Sequence, residues 1–403
     1  MMKKMSFLEE LLEKGNIGGL VDSITLRRGD ITVFNSPVQI KKSSNDHAFV
    51  CSDVPDYLKV NFCGKEKQDS EKSVATFEGS YIDLTQYKDL DGFLRAKLSS
   101  KRISRLKAYK RTLEHVFPIS YQYYYGNIKD DTYDLLMDAL KDMISKRFDE
   151  KKLEHLALME WDAFRENGKK LIKEKRGALI VVQHGNHPIH ISFNYVWENL
   201  VFGYVRGFDL DYSKFYLGYI DILVQLDWCF QNEFKIYDLL RENLEYKLRF
   251  ADHTYLYRSH VVFPKSPIHK RIVPIIHWVS LSLKFDLYYP AIGKLKGIYN
   301  SVPFLPKRQP KTAKTVYYFD EVSETERSQM EKNLLEPINL DLATIKNLKR
   351  AAYHFLYTTK DQLEDLNVYK DFMNPQVFIF KGRKVVKKVH LQSTQMDTHG
   401  KGA

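Results

Sequence analysis

From Gly207 to Tyr255 the chain reads GFDLDYSKFYLGYIDILVQLDWCFQNEFKIYDLLRENLEYKLRFADHTY. Its hydrophobic spacing predicts a strand, a glycine-bearing turn, an amphipathic helix and a second strand from Phe234 to Leu240. A tight polar-basic turn carrying Tyr246, Lys247 and Arg249 follows. The helix places Tyr219, Ile222, Leu223, Leu226 and Phe230 on one face, so it packs on a sheet. Gly218 opens it, and a helix start offers free backbone N–H groups and the positive end of the dipole, a setting that favours phosphate. The plain alternative is a β-α-β packing unit without a ligand.

The strand entering this unit closes a period-two region. GALIVVQH, PIHISFNY and NLVFGYVRGFD alternate large side chains, with Ile189, Ile191, Phe193 and Tyr195 opposite His190, Ser192 and Asn194. Short connections at GNHP and WEN make an antiparallel meander. Gly203 and Gly207 fall on one face of the last strand, which permits a close approach by a ligand or another main chain. Asp238 shares a face with Phe234 and Ile236, an odd place for a carboxylate without a partner.

Upstream, ITVFNSP, HAFVCSDVPD, YLKVNF and SVATFEGSYIDL predict about four strands in a meander. A helix capped by Ser99 or Ser100 then runs to His115. From Lys97 to Arg111 it concentrates Lys97, Lys101, Arg102, Arg105, Lys107, Lys110 and Arg111 around a thin apolar stripe, with no acidic residue until Glu114. A charge run is usually a solvated face, but like charges at helical spacing repel, and an anionic partner relieves that. Further helices are predicted after Asp130, over 152–175, over Ile272–Tyr289 and over Ala343–Tyr357. QVFIFKGRKVVKKVH resembles a terminal hairpin.

The composition, 44% hydrophobic and 28% charged over 403 residues, is that of a globular protein with a substantial core. Sixty-two Lys and Arg against 51 Asp and Glu leave a formal net charge of +11, which suits an anionic partner. Three scattered cysteines, Cys51, Cys63 and Cys229, suit neither a disulfide framework nor a zinc site, and a reducing, cytoplasmic setting is the default expectation. His184, His187 and His190 lack companions at ligand spacing, so no metal is expected. No secretory signal or membrane span is expected, and no G-x-S-x-G, Walker or G-x-G-x-x-G motif occurs on a suitable strand.

Gly218, Asp238-Leu239-Leu240-Arg241, Tyr246-Lys247 and Arg249-Phe250 together resemble the signature of the GNAT acyltransferase superfamily, in its FemAB-like branch. LSSKRISRLKAYKR resembles the basic segment those proteins carry at the start of their second half. The resemblance spans Leu90 to Phe263, and the branch is often linked with cellulose or exopolysaccharide synthesis. It implies an α/β (α+β) fold of tandem GNAT-like domains, each a twisted mixed, largely antiparallel sheet flanked by helices, followed by a C-terminal helical extension. The expected division is 1–90, a short N-terminal half; 91–265, the half with the donor site; and 266–403, the extension. The pyrophosphate loop departs from the family pattern, since SKFYLGY keeps Gly218 alone, Ile220 stands where a small residue is usual, and Glu242 replaces a further glycine.

The resemblance also implies acyl transfer from a thioester, acyl-CoA or acyl-carrier protein, to a small-molecule amine. Val205 and Gly207 would hold the pantetheine-like arm, with Lys214, Gly218, Lys247 and Arg249 on anionic groups. Asp209 and Asp238 are the candidates for orienting the amine or acting as base, and Tyr246 for protonating the leaving thiolate. The basic helix Lys97–Arg111 would receive an acidic carrier protein. Aminoacyl or peptidyl transfer from charged tRNA, and a non-catalytic scaffold or membrane-surface adaptor, are the competing readings.

Overall fold

The computed structural model describes residues 2–15, 21–28, 31–35, 48–62, 69–151, 156–241, 245–264, 267–292, 317–322, 335–340, 345, 347–371, 374 and 376–392. Its first part contributes strands β1 (Lys3–Ser6), β2 (Val21–Leu26), β3 (Ile31–Asn35), β4 (Phe49–Pro55), β5 (Leu58–Phe62) and β6 (Asp69–Asp83). Helices α1 (Leu90–Lys97) and α2 (Ser100–Val116), strand β7 (Ile119–Tyr124) and helices α3 (Asp130–Lys151), α4 (Leu156–Met159) and α5 (Trp161–Lys173) follow. Then come β8 (Gly177–His184), β9 (His187–Trp197), β10 (Leu200–Phe208), a 3-10 turn (Leu210–Phe215), α6 (Leu217–Gln231), β11 (Ile236–Arg241), α7 (Glu245–Phe250) and β12 (His253–Pro264).

Nine of these strands form one sheet in the order β1-β4-β12-β6-β11-β10-β9-β8-β7. The β1–β4 and β10–β11 ladders are parallel and the rest antiparallel, so the sheet is mixed and largely antiparallel, as expected. Its centre is buried on both faces. Along β8, Leu179 and Val181 enter one core cluster while Ala178, Ile180 and Val182 enter the other, which explains why GALIVV reads as a continuous apolar run. Residues of α3 and α5 pack on the first face, and residues of α1, α2 and α6 on the second.

The four strands expected between Ile31 and Leu84 exist, but they do not form a meander. Alternation sets which side chains share a face, not which strands become neighbours. β4 and β6 join the large sheet with β12 between them, and β12 pairs with β6 from His253 to Pro264. β3 and β5 instead flank β2 in a separate three-stranded sheet. The GALIVVQH, PIHISFNY and NLVFGYVRGFD strands do form the expected antiparallel meander.

Beyond β12, helix α8 (His269–Ser282) continues as a π-helical turn over Leu283–Tyr288. The extension also holds β13 (Tyr317–Glu321), β14 (Glu336–Pro337), α9 (Leu348–Thr359), β15 (Asn367–Lys370), β16 (Val377–Lys381) and β17 (Val386–Leu391). Besides its helices it therefore carries a five-stranded antiparallel sheet, β13-β17-β16-β15-β14, whose β16–β17 pair is the expected hairpin. Helix α9 docks on the main body through Tyr353, whose ring lies 4.9 Å from Phe117 and 4.7 Å from Tyr212. No described helix is long and apolar enough to cross a membrane.

Candidate active site

β10 and β11 run side by side for a short distance. They pair at Leu200–Ile236, Val201–Tyr237 and Phe202–Asp238, after which β10 continues to Phe208 along β9 while β11 follows β6. A bulge at Gly203/Val205 marks the divergence. Each strand then leads into a helix at its carboxyl end: β10 through the 3-10 turn into α6, β11 into α7.

Those helix ends and α2 enclose a pocket of about 160 Å³, lined by Arg102, Arg105, Tyr109, Tyr216, Tyr219, Arg249 and Phe250 among others. Tyr216 precedes the first residue of α6 with φ +57°, a left-handed conformation that is uncommon for a non-glycine residue and that usually persists where its surroundings hold it. Its ring stacks on Tyr109 at 4.2 Å and 19°. Among the described residues neither Arg102 nor Arg105 has an ion-pair partner, whereas Arg249 pairs with Glu245 on its own helix. Three guanidinium groups, stacked phenols and a helix N-terminus in one concavity suit a phosphate-bearing, planar ligand. Much of the rest of the basic run is engaged. Lys97 bonds Asp252 at 3.0 Å, Lys107 bonds Asp91 at 2.8 Å, and Lys110 lies 3.8 Å from Glu114, so residues remote in sequence supply some of the missing acids.

On the opposite face of β11 lies Asp238, fully buried. Tyr57 donates to its carboxylate at 2.7 Å, Tyr255 at 2.8 Å and the Leu240 N–H at 2.7 Å, and the Tyr255 and Tyr257 hydroxyls lie 2.7 Å apart. Burial outweighs these donors and pushes the carboxyl up to about 6. Burial likewise holds the Tyr57 and Tyr255 hydroxyls well above their usual range, so both stay protonated.

The remaining expected residues are dispersed. Asp209 caps the 3-10 turn through the Asp211 N–H at 2.9 Å and lies 2.9 Å from His187 Nε2. Burial raises its pKa, but the His187 ring and the Asp211 N–H prevail and hold it below the ordinary value. Asp209 lies seven positions beyond Phe202, the partner of Asp238, a run of roughly 20 Å at ~3.3 Å per strand residue, so the two carboxylates do not share a site. Val205 is buried in the core. The bulge turns Gly203 and Gly207 to opposite faces. A Cβ on Gly203 would meet the Arg206 guanidinium at 2.6 Å, and one on Gly207 would meet Leu140 of α3 at 2.8 Å. Gly218 is exposed in the first turn of α6 and Lys214 is exposed in the 3-10 turn. The expected turn at Tyr246 is instead α7, whose C-terminal end is closed by the bond from Ala251 N–H to Lys247 C=O. The Tyr246 side chain lies outside the described residues. Lys247 is buried, and its ammonium donates to the carbonyls of Leu239 at 2.8 Å and Arg241 at 2.9 Å.

A second polar cluster lies between α6 and the sheet. Asp221 accepts from Ser192 at 2.7 Å and Gln225 at 2.9 Å, lies 3.0 Å from Arg206 Nε and sits 3.8 Å from His190 Nδ1. Arg206 also bonds the Tyr237 hydroxyl beside the strand divergence. Burial opposes the Asp221 charge, but His190, Arg206, Gln225 and Ser192 overcome it and lower the pKa. The three histidines thus go separate ways, since His184 Nδ1 lies 2.6 Å from the Tyr212 hydroxyl. Among the described residues no cluster of His, Cys, Asp or Glu could hold a metal.

No curated protein matches the chain. Solved structures resemble it distantly. A conserved protein of unknown function from Bacteroides thetaiotaomicron has 10% identity and a TM-score of 0.38 over 55% of this chain and 72% of that one. L-PGS from Bacillus licheniformis has 8% identity and a TM-score of 0.35 over 58% and 74%. A tandem GNAT protein from the clavulanic acid biosynthesis pathway has 8% identity and a TM-score of 0.28 over 59% and 74%. Residues 100–248, from α2 into α7, match the family model of the acetyltransferase (GNAT) domain.

Proposed function

We propose that the chain is an N-acyltransferase of the FemAB-like kind that takes its acyl group from a phosphate-bearing thioester, acyl-CoA or acyl-carrier protein. The observation that carries this reading is the convergence of Arg102, Arg105, Arg249 and the stacked Tyr109–Tyr216 pair on the start of α6, inside the stretch that matches the GNAT domain. The pocket would hold the donor's phosphates and any flat base. The acyl arm would pass where β10 parts from β11, beside Asp238. The amine nitrogen attacks the thioester carbonyl carbon; the new C–N bond forms as the C–S bond breaks. The amine proton passes to Asp238, directly or through water, and Tyr246 returns a proton to the thiolate.

The test is thiol release from acetyl-CoA and from acylated carrier protein in a mixture of amines, with products read by mass spectrometry. Arg102→Ala/Arg105→Ala should raise the donor KM at least about tenfold, because each guanidinium–phosphate bond contributes about 1.5–3 kcal/mol. Both arginines are exposed, so the fold should survive. Absence of thiol release from either donor would sink the reading. Transfer from aminoacyl-tRNA instead would reassign the same pocket to the nucleotides of a tRNA end.

A further inference from the structure

Helix α8 turns an apolar face to solvent. Ile268, Ile272, Ile276, Val279, Leu283 and Leu287 are all exposed, from 40% at Val279 to 75% at Ile268. Their steps of four, four, three, four and four residues keep them in one stripe, which at 1.5 Å per residue extends about 28 Å. The opposite side is anchored: Ile275, Trp278 and Leu281 pack on Val50, Val261 and Phe263 of the sheet, and Phe285 meets Phe77 edge-on at 5.3 Å. The helix is therefore held firmly in place while its second face has no counterpart among the described residues. A contiguous exposed apolar surface of this length marks an interaction site.

The charges around it select the occupant. Between 267 and 289 the only acidic residue is Asp286, against Lys270, Arg271 and Lys284. Lys4 acts electrostatically on His277, and Lys72 sits 4.3 Å over the Trp278 ring, so further cations border the same helix. Two copies of this helix packed face to face would oppose cation to cation, with one aspartate each to compensate. A surface of anionic lipids complements the apolar stripe and its basic margin together, and Tyr288 and Tyr289, both exposed, supply rings of the kind favoured at headgroup depth. We infer that α8 and its π-helical continuation dock the protein, lying flat, on an anionic membrane surface. This inference stands apart from the acyl-transfer reading, since none of these residues lines the arginine pocket.

The test is co-sedimentation of the full chain with vesicles of phosphatidylcholine alone and of phosphatidylcholine with phosphatidylglycerol, at low and high salt. Binding should favour the anionic vesicles and weaken with salt. Ile272→Ser/Ile276→Ser/Leu283→Ser should reduce it at least about tenfold. Lys270→Glu/Lys284→Glu should reduce it about fivefold or more. Circular dichroism checks that each variant remains folded. Absence of binding by the parent chain, or equal binding to both vesicle types, would overturn the inference. So would undiminished binding by the folded triple-serine variant, which would shift the attraction to other basic surfaces. A stable dimer in sedimentation velocity, dissociated by those serines, would assign the stripe to a second copy.

Discussion

Asp238 illustrates how one buried carboxylate links stability to chemistry. Its folded pKa of about 6 lies above its ordinary 3.8, so the folded state binds a proton that the unfolded chain releases. The resulting stability is fully present below about pH 4 and is lost as pH rises through about 6. Asp238→Asn removes that dependence. Urea midpoints from pH 4.5 to 7.5 should therefore move in the variant's favour, relative to the parent, as pH rises; a parallel pair of curves would show that Asp238 titrates normally. If the same carboxylate takes the amine proton, the parent's turnover rises over that same interval and the variant's rate falls sharply at every pH. Lys247 has a different task. Its ammonium stitches two β11 carbonyls, so it shapes the strand end that carries Asp238.

At the scale of elements, α6 shows what sequence patterning reveals and what it conceals. Its existence, its place after the meander and its packing on a sheet were legible from Ile222, Leu223 and Leu226. That its other sides also meet helices was not, because an apolar helix reads alike whether one face or several are covered. Alternation puts His190, Ser192 and Asn194 on the face of β9 opposite Ile189, Ile191, Phe193 and Tyr195 but does not say what covers them; all three are buried against Asp221 and Gln225 of α6, two polar residues one turn apart. Pairing polar positions across two elements requires knowing that the elements touch. The arginine pocket was half legible. Arg102, Arg105 and Tyr109 recur at helical spacing on α2, but their meeting with Tyr216 and Arg249 depends on tertiary contacts. The buried cluster has a measurable consequence. Asp221→Ala takes the carboxylate away from Arg206, Ser192 and Gln225, and breaking a buried pair from one side costs about 3–5 kcal/mol. Chemical denaturation should register that loss, whereas a cost under about 1 kcal/mol would mean that water reaches the cluster.

For the whole molecule the decisive element is β12. We propose 1–90 and 91–265 as the two halves of a tandem arrangement, yet the sheet runs through both, because β12 from the second half lies between β4 and β6 of the first. Contiguity in sequence gave no hint of this insertion, since strands 170 or more residues apart carry no local signal of pairing. β12 buries Tyr255, Tyr257, Val261, Val262 and Phe263, and Tyr255 also donates to Asp238. At about 1.5–3 kcal/mol per buried side chain these five contribute roughly 8–15 kcal/mol, as much as the net stability of an ordinary domain. A chain ending at Asp252 should therefore fail to fold, although it retains all of 1–90 and the whole stretch matching the acetyltransferase domain in an unbroken run. The expected signs are a flat urea titration and rapid proteolysis throughout. If that fragment instead unfolds in a cooperative transition, the two halves are separable bodies, and β12 is an addition to a sheet that holds without it.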